Sequence, residues 1–306
     1  MERVGKSRSK TKSKIDAGIK YLILTLVGLL MIYPLLWLIG ASFKENSDIF
    51  SSLGIIPKKF ELSGYVNGWK TSTEYTFTKY FLNTFAIVVP KVILTLISCT
   101  MAAYGFARFK IPGKKFLFAI LIGTLLLPTI VLNIPQYIMY RQIGWLDTYL
   151  PLIVPSVLAT DTFFVFMLVQ FLRGLPLELE EAAKIDGCNS LQTLIYILVP
   201  ILKPALISVA LFQFIWSMND FMGPLIYISS VEKYPVSIAL KMSMDNSAVV
   251  QWNQVMAMAV IALVPSIIIF FSAQKYFVEG VSTSGLKEKT HYTRRKKNEN
   301  DIQVVW

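Results

Sequence analysis

Residues that could do chemistry are scarce in this sequence, and their scarcity is informative. A single histidine, His291, and two cysteines, Cys99 and Cys188, cannot build a Cys/His metal cluster or a disulfide framework. The chain has no GxxxxGK[ST] phosphate loop, no GxGxxG, no HExxH and no GxSxG, so nucleotide, dinucleotide, zinc-hydrolase and serine-hydrolase chemistry lack their usual carriers. The sequence predicts no enzyme and no cofactor in this chain. Four groups of polar residues remain. Lys91, Asp161 and Lys203 interrupt apolar runs, and ionisable groups in such runs mark ion or solute paths. Asn219, Asp220, Tyr227, Tyr234, Asn246, Trp252 and Asn253 fall in the stretch 217–252 and just beyond it. Amides with aromatic faces suit a sugar, whose ring presents C–H patches and hydroxyls together, although aromatic residues near helix ends equally serve as interfacial anchors. The third group is the charged stretch Glu178, Glu180, Glu181 and Lys184. The last comprises the basic tails.

The elements that must position these groups cross a membrane. Hydrophobic residues make up 54% of the chain and charged ones 16%, against about 25% charge in an ordinary soluble protein. Six runs are long and apolar enough to span as helices: 19–41, 81–104, 116–138, 149–172, 193–216 and 253–273. Each holds proline, at Pro34, Pro90, Pro128, Pro155, Pro200 with Pro204, and Pro265. Proline is common in membrane helices, but six bent spans fit a transporter better than a rigid anchor. Lys and Arg number seven in the N-terminal tail, four after the second span, two after the fourth and seven in the C-terminal stretch, against eight in the other loops. The positive-inside rule then predicts both termini on the cytoplasmic side of the cell membrane. The formal charge of +11 therefore reads as orientation and not as nucleic-acid binding. Residues 1–18 and 287–306 read as basic tails without fixed structure that lie on anionic lipid headgroups. The first apolar run is longer than the ~7–15-residue core of a signal peptide and is expected to stay as a span.

The loop 173–192 stands out. Pro176 is placed to begin a short helix, and Gly187 suits a stop needing positive φ. Leu179, Ala182, Ala183 and Cys188 can share a small apolar face fit to dock in another protein's groove, or the stretch is a solvated amphipathic connector. Glu181-Ala182-Ala183-Lys184-Ile185-Asp186-Gly187, then nine residues, then Ile197-Leu198-Val199-Pro200 resembles the EAA loop of ABC importer permeases, with Val199 in place of leucine. AYGFARFKIPGK at 103–114, the segments 127–155 and 163–187, and LVPILKPAL at 198–206 are similar to carbohydrate-uptake permeases of the maltose-transporter inner-membrane type. The resemblance covers Tyr33 to Leu286. It departs where the family has Trp-Asn-Asp-Phe, because Ser217 and Met218 separate Trp216 from Asn219-Asp220-Phe221.

That resemblance implies an all-α membrane protein: a permease domain over 19–286 with six transmembrane helices, cytoplasmic termini and a cytoplasmic EAA coupling helix. It implies half of an alternating-access pore for a carbohydrate, paired with a second homologous permease. ABC ATPase subunits that bind ATP-Mg would dock on the loop, and an extracytoplasmic solute-binding protein would deliver the cargo. Glu181 would then pair with a basic ATPase residue, Ala182 and Ala183 would fit its cleft, Gly187 would turn the chain and Asp186 would cap. A phosphate ester, amino acid or peptide as cargo, an ion-coupled secondary transporter, and a membrane anchor for another enzyme remain the alternatives. For the path, depths of about 15 Å for Lys91 and about 18 Å for Asp161 along straight helices suggest that the two pair, the other possibility being that Lys91 snorkels while Asp161 pairs with Lys203 or takes up a proton.

Overall fold

The computed structural model describes residues 3–51, 54–70, 74–245 and 250–275, with Arg3–Asp16 and Thr129 described in backbone only. Asn246, His291 and the tail 287–306 lie outside them. Among the described residues every regular element is helical. They are α1 (Arg3–Ala41), α2 (Ser63–Lys70), α3 (Phe77–Arg108), α4 (Lys114–Leu125), α5 (Thr129–Gln142), α6 (Leu150–Ile153), α7 (Thr162–Arg173), α8 (Glu178–Ile185), α9 (Ser190–Gln192), α10 (Val199–Met218), α11 (Met222–Tyr227), α12 (Val236–Asp245) and α13 (Trp252–Lys275). The chain divides into two compact units, residues 1–77 with 240–263 and residues 78–239 with 264–306.

Among the described residues five helices are long and apolar enough to cross a membrane, Ala17–Ala41, Phe77–Arg108, Leu150–Arg173, Ser190–Met218 and Trp252–Lys275, and a sixth span is present if one bent helix pair is counted as one. They match five of the six expected runs. The run expected over 116–138 is instead broken into α4 and α5 at a bend of 105°. Pro128 stands at the α5 N-cap, where it can donate no hydrogen bond and biases Leu127 away from helical backbone. The fourth run is also discontinuous. A 3-10 turn at Val154–Leu158, carrying Pro155, is followed by Ala159 at φ 53° before α7 resumes. By contrast Pro34, Pro90 and Pro204 lie inside unbroken helices. The basic segment before residue 19, read from sequence as lacking fixed structure, continues as helix back to Arg3. Its Lys and Arg are good helix formers and no proline precedes Pro34.

In the second unit the core lies where the latter half of α3 meets α7 and α10. Cys99 and Ala103 of α3 pack with Phe164, Leu168 and Leu172 of α7 and Leu202 and Val209 of α10. Leu194 and Leu198 of a π-helical turn, Thr193–Leu198, close the same cluster. This wider turn runs up to Pro200, which has no N–H to continue a regular ladder. In the first unit, Asn46 accepts from the Trp252 N–H at 2.7 Å and donates to the Val250 carbonyl at 3.2 Å, while Phe50 meets the Trp252 ring edge-on at 5.3 Å.

Candidate coupling loop and polar path

Helix α8 is short, and its stop is built from backbone alone. Gly187, at φ +85°, donates to the Lys184 carbonyl at 3.1 Å, and Cys188 donates to the Ala183 carbonyl at 2.9 Å. Those two bonds are the paired closure of a Schellman motif, which needs left-handed backbone at the residue after the C-cap. Asp186 occupies that C-cap. Side-chain capping nearby comes from Asn189, which sequence reasoning passed over. Its Oδ1 accepts from Gln192 N at 2.9 Å, and Gln192 Oε1 accepts from Asn189 N at 2.8 Å. The Asn-x-x-Gln spacing was the available signal.

The helical period divides α8 into two stripes. Glu178, Glu181, Ala182 and Ile185 face outward, Ile185 being 87% exposed, whereas Glu180 and Ala183 are buried. The expected apolar face is therefore redrawn. Ala182 is accessible beside Glu181, but Ala183 is 4% exposed and packs within its own chain. Ile185, absent from the expected face, is the largest apolar group the outer stripe offers. On the buried stripe, Glu180 makes an ion pair with Arg108, the last residue of α3, with 8% and 7% of the two side chains exposed. Arg108 Nη2 also donates to the Leu175 carbonyl at 3.2 Å, so one guanidinium holds both the chain entering the loop and the helix within it.

Of the polar residues expected along a path, Lys91 and Asp220 line one cavity and Asp161 lies apart from them. Asp161 sits at the N-cap of α7, directly after the break in the fourth span. Its carboxylate accepts from Thr95 of α3 at 3.1 Å, and Ser98 donates to the Ser156 carbonyl at 2.5 Å, so α3 hydroxyls satisfy groups freed by the break. Lys91 makes no ion pair with Asp161 within 4.0 Å among the described residues. It lines a cavity of about 10 Å³ with Asp220, Ser217, Thr84 and Ser237, about enough for one water. The Ser217 hydroxyl is buried there with no hydrogen-bond partner among the described residues. Asp161 lies level with Thr95, one turn beyond Lys91, so the depths agree to within the turn expected along straight helices while the two side chains do not pair.

The aromatic and amide candidates of 217–253 are largely occupied within the chain. Tyr227 donates to Gln136 at 3.2 Å, Tyr234 to the Ser229 carbonyl at 3.1 Å, and Asn219 to the Ile215 carbonyl at 2.8 Å. Asp220 accepts from the Gly223 N–H at 3.0 Å. The stretch is held by a residue not singled out in the sequence, Asp147, in the loop after α5. It accepts from Ser229 N at 3.0 Å, Ser230 N at 2.8 Å, Ser230 Oγ at 2.6 Å and Lys233 Nζ at 2.8 Å. Burial pushes its carboxyl up, but the bonds from Lys233, Ser230 and Ser229 outweigh that and hold it well below the usual carboxylate range. Asn83 ties the same stretch to α3 through the Glu232 and Tyr234 carbonyls, at 2.8 and 2.9 Å.

Apolar spans, two of them broken near proline, and a short helix with an outward carboxylate stripe describe a polytopic membrane protein. The chain belongs to the family described as binding-protein-dependent transport system inner membrane component, which matches residues 94–283. It is therefore a non-enzymatic, multi-pass inner-membrane subunit, which sets aside the ion-coupled and anchor readings. It is similar to the diacetylchitobiose uptake system permease protein NgcG of Streptomyces coelicolor, 28% identical over 87% of each chain. It also resembles the trehalose/maltose transport system permease protein MalG of Thermococcus litoralis, 31% identical over 86% of this chain and 94% of that one. Its fold matches a chain of a bacterial ABC transporter involved in the import of the acidic polysaccharide alginate, with a TM-score of 0.75 at 23% identity, over 87% of this chain and 98% of that one.

Proposed function

We propose that this chain is the membrane-spanning permease subunit of an ATP-driven, binding-protein-dependent carbohydrate importer. It forms half of an alternating-access pore with a second homologous permease. Both termini and α8 face the cytoplasm, the side to which the positive-inside rule assigns the Lys- and Arg-rich segments. Partner ATPase subunits bind ATP-Mg and dock on α8, and a solute-binding protein delivers sugar from the opposite side. The observation that carries the reading is the division of α8. Its inner stripe is anchored by Glu180 and Ala183, which leaves Glu181, Ala182 and Ile185 free to enter a groove as a rigid unit. Glu181 supplies charge for a basic partner residue and Ile185 supplies apolar area. Carbohydrate is the cargo named for NgcG and MalG.

The test is purification from the native host, followed by ATP hydrolysis in liposomes with the solute-binding protein and a panel of oligosaccharides, phosphate esters, amino acids and peptides. An ATPase and a second permease should accompany the chain, and an oligosaccharide should give the largest stimulation. Glu181→Lys should insert normally yet abolish uptake, because it places like charge against the basic groove. Normal uptake by that variant would remove α8 from the coupling role, and stimulation by amino acids alone would remove the sugar.

A further inference from the structure

Glu180 presents an energetic problem that its neighbour Glu181 does not. It is a carboxylate buried on an eight-residue helix, and a buried ion pair commonly stabilises a fold no better than apolar side chains of similar volume. What such a pair supplies is direction. A charge-assisted hydrogen bond in a dry setting fixes distance and angle, whereas an apolar contact can slide. The partner is Arg108 at the C-terminus of α3, where the helix macrodipole also favours a cation. α3 runs 32 residues without a break, about 48 Å at 1.5 Å per residue, past the ~30 Å hydrocarbon layer. Its other residues reach the polar groups deeper in the span, with Thr95 on Asp161 and Lys91 in the cavity with Asp220 and Ser217.

We infer that Arg108 and Glu180 form an internal tether through which movement of α8 is passed to α3, making both positioning residues for coupling. This rests on the docking role proposed for α8. Glu181 and Glu180 are consecutive and lie about 100° apart around the helix axis, so a push on the outer stripe arrives at the inner one without passing through flexible chain. The second Arg108 bond, to the Leu175 carbonyl, keeps the loop entrance from yielding first. The sequence 178–187 therefore holds two adjacent glutamates with separate tasks, one turned to the partner and one to the pore helix.

The experiment places a reporter thiol at Lys91→Cys in a Cys99→Ser/Cys188→Ser background. Reactivity toward a membrane-impermeant maleimide is measured in the assembled complex with and without ATP and vanadate. In the parent, nucleotide should change the reactivity at position 91. In the isosteric Glu180→Gln variant that change should shrink at least about fivefold, because Arg108 then meets a neutral amide in place of a carboxylate, while ATP hydrolysis continues. Exchange of the pair, Arg108→Glu with Glu180→Arg, should restore it. A nucleotide response in Glu180→Gln equal to the parent's overturns the tether, as does a parent that shows none. If the variants do not assemble, the pair is a folding element and the inference also falls. Absence of any ATPase from the parent complex would instead overturn the docking role itself.

Discussion

Substitution of Gly187 isolates backbone conformation from every other property of the coupling loop. A Cβ at this position meets nothing within 4 Å, so no side-chain clash contributes and the cost is torsional. At φ +85° an L residue with a Cβ pays about 1–2 kcal/mol. Leaving that region instead forfeits the Gly187 and Cys188 bonds that close α8, at about 1 kcal/mol each. The two routes cost alike, so Gly187→Ala should destabilise the closed loop by about 1–2 kcal/mol, a roughly 5–30-fold fall in its population relative to open forms. Asparagine tolerates left-handed backbone better and should cost less, whereas branching at Cβ makes valine worse than alanine. Sugar-stimulated ATP hydrolysis of the reconstituted complex should therefore fall in the order Gly, Asn, Ala, Val, with membrane insertion and thermal melting of the spans little changed. Equal activity in the valine and glycine proteins would refute the argument, and so would an alanine variant outperforming asparagine.

Asp147→Asn should lower the melting temperature of the detergent-solubilised chain by the equivalent of about 1 kcal/mol, the ion pair with Lys233 being partly solvent-screened. Because the folded carboxyl titrates below its unfolded value of about 3.9, that gap should persist from neutral pH downward. It should close only as the pH falls below about 4 and through the folded value; a gap that widens on acidification would contradict the assignment. Lys91→Met and Asp161→Asn, which the structure places in separate surroundings, should act additively to within about 0.5 kcal/mol in folded yield and transport. A larger coupling energy would mean that the two charges meet in another state of the cycle.

How far the fold could be read from the sequence depended on how local its causes are. A run of about twenty apolar residues dictates a helix because lipid leaves the backbone no other partner, and five spans emerged near their expected limits. Proline was the ambiguous sign. Pro90 sits inside α3 and Pro204 inside α10, while Pro128 and Pro155 mark breaks. The fourth-span break is satisfied by groups far along the chain. Ser98 and Thr95 meet Ser156 and Asp161, and nothing within 149–172 announces that those hydroxyls will be there.

The same distinction separates the two candidate sites. Under the proposed docking role, α8 offers its contacts to another protein and ends sharply, and both demands act over a single helical turn. Its glycine was consequently legible by spacing and Glu181 by resemblance to the EAA loop, whereas the burial of Glu180 and Ala183 was not, because the pattern shows which residues recur and not which face the rest of the chain takes for itself. Arg108 was counted only as an orienting charge. Its pairing with Glu180 spans 72 residues, and a basic residue closing a span looks the same whether it faces headgroups or a buried carboxylate. Lys91 was legible as anomalous, since a charge inside an apolar run demands a partner. Which partner it takes was not legible, because a depth that agrees to within one turn does not fix the face of the helix a side chain occupies: Asp161 meets Thr95 at the N-cap of α7, and Lys91 lies beside Asp220 and Ser217.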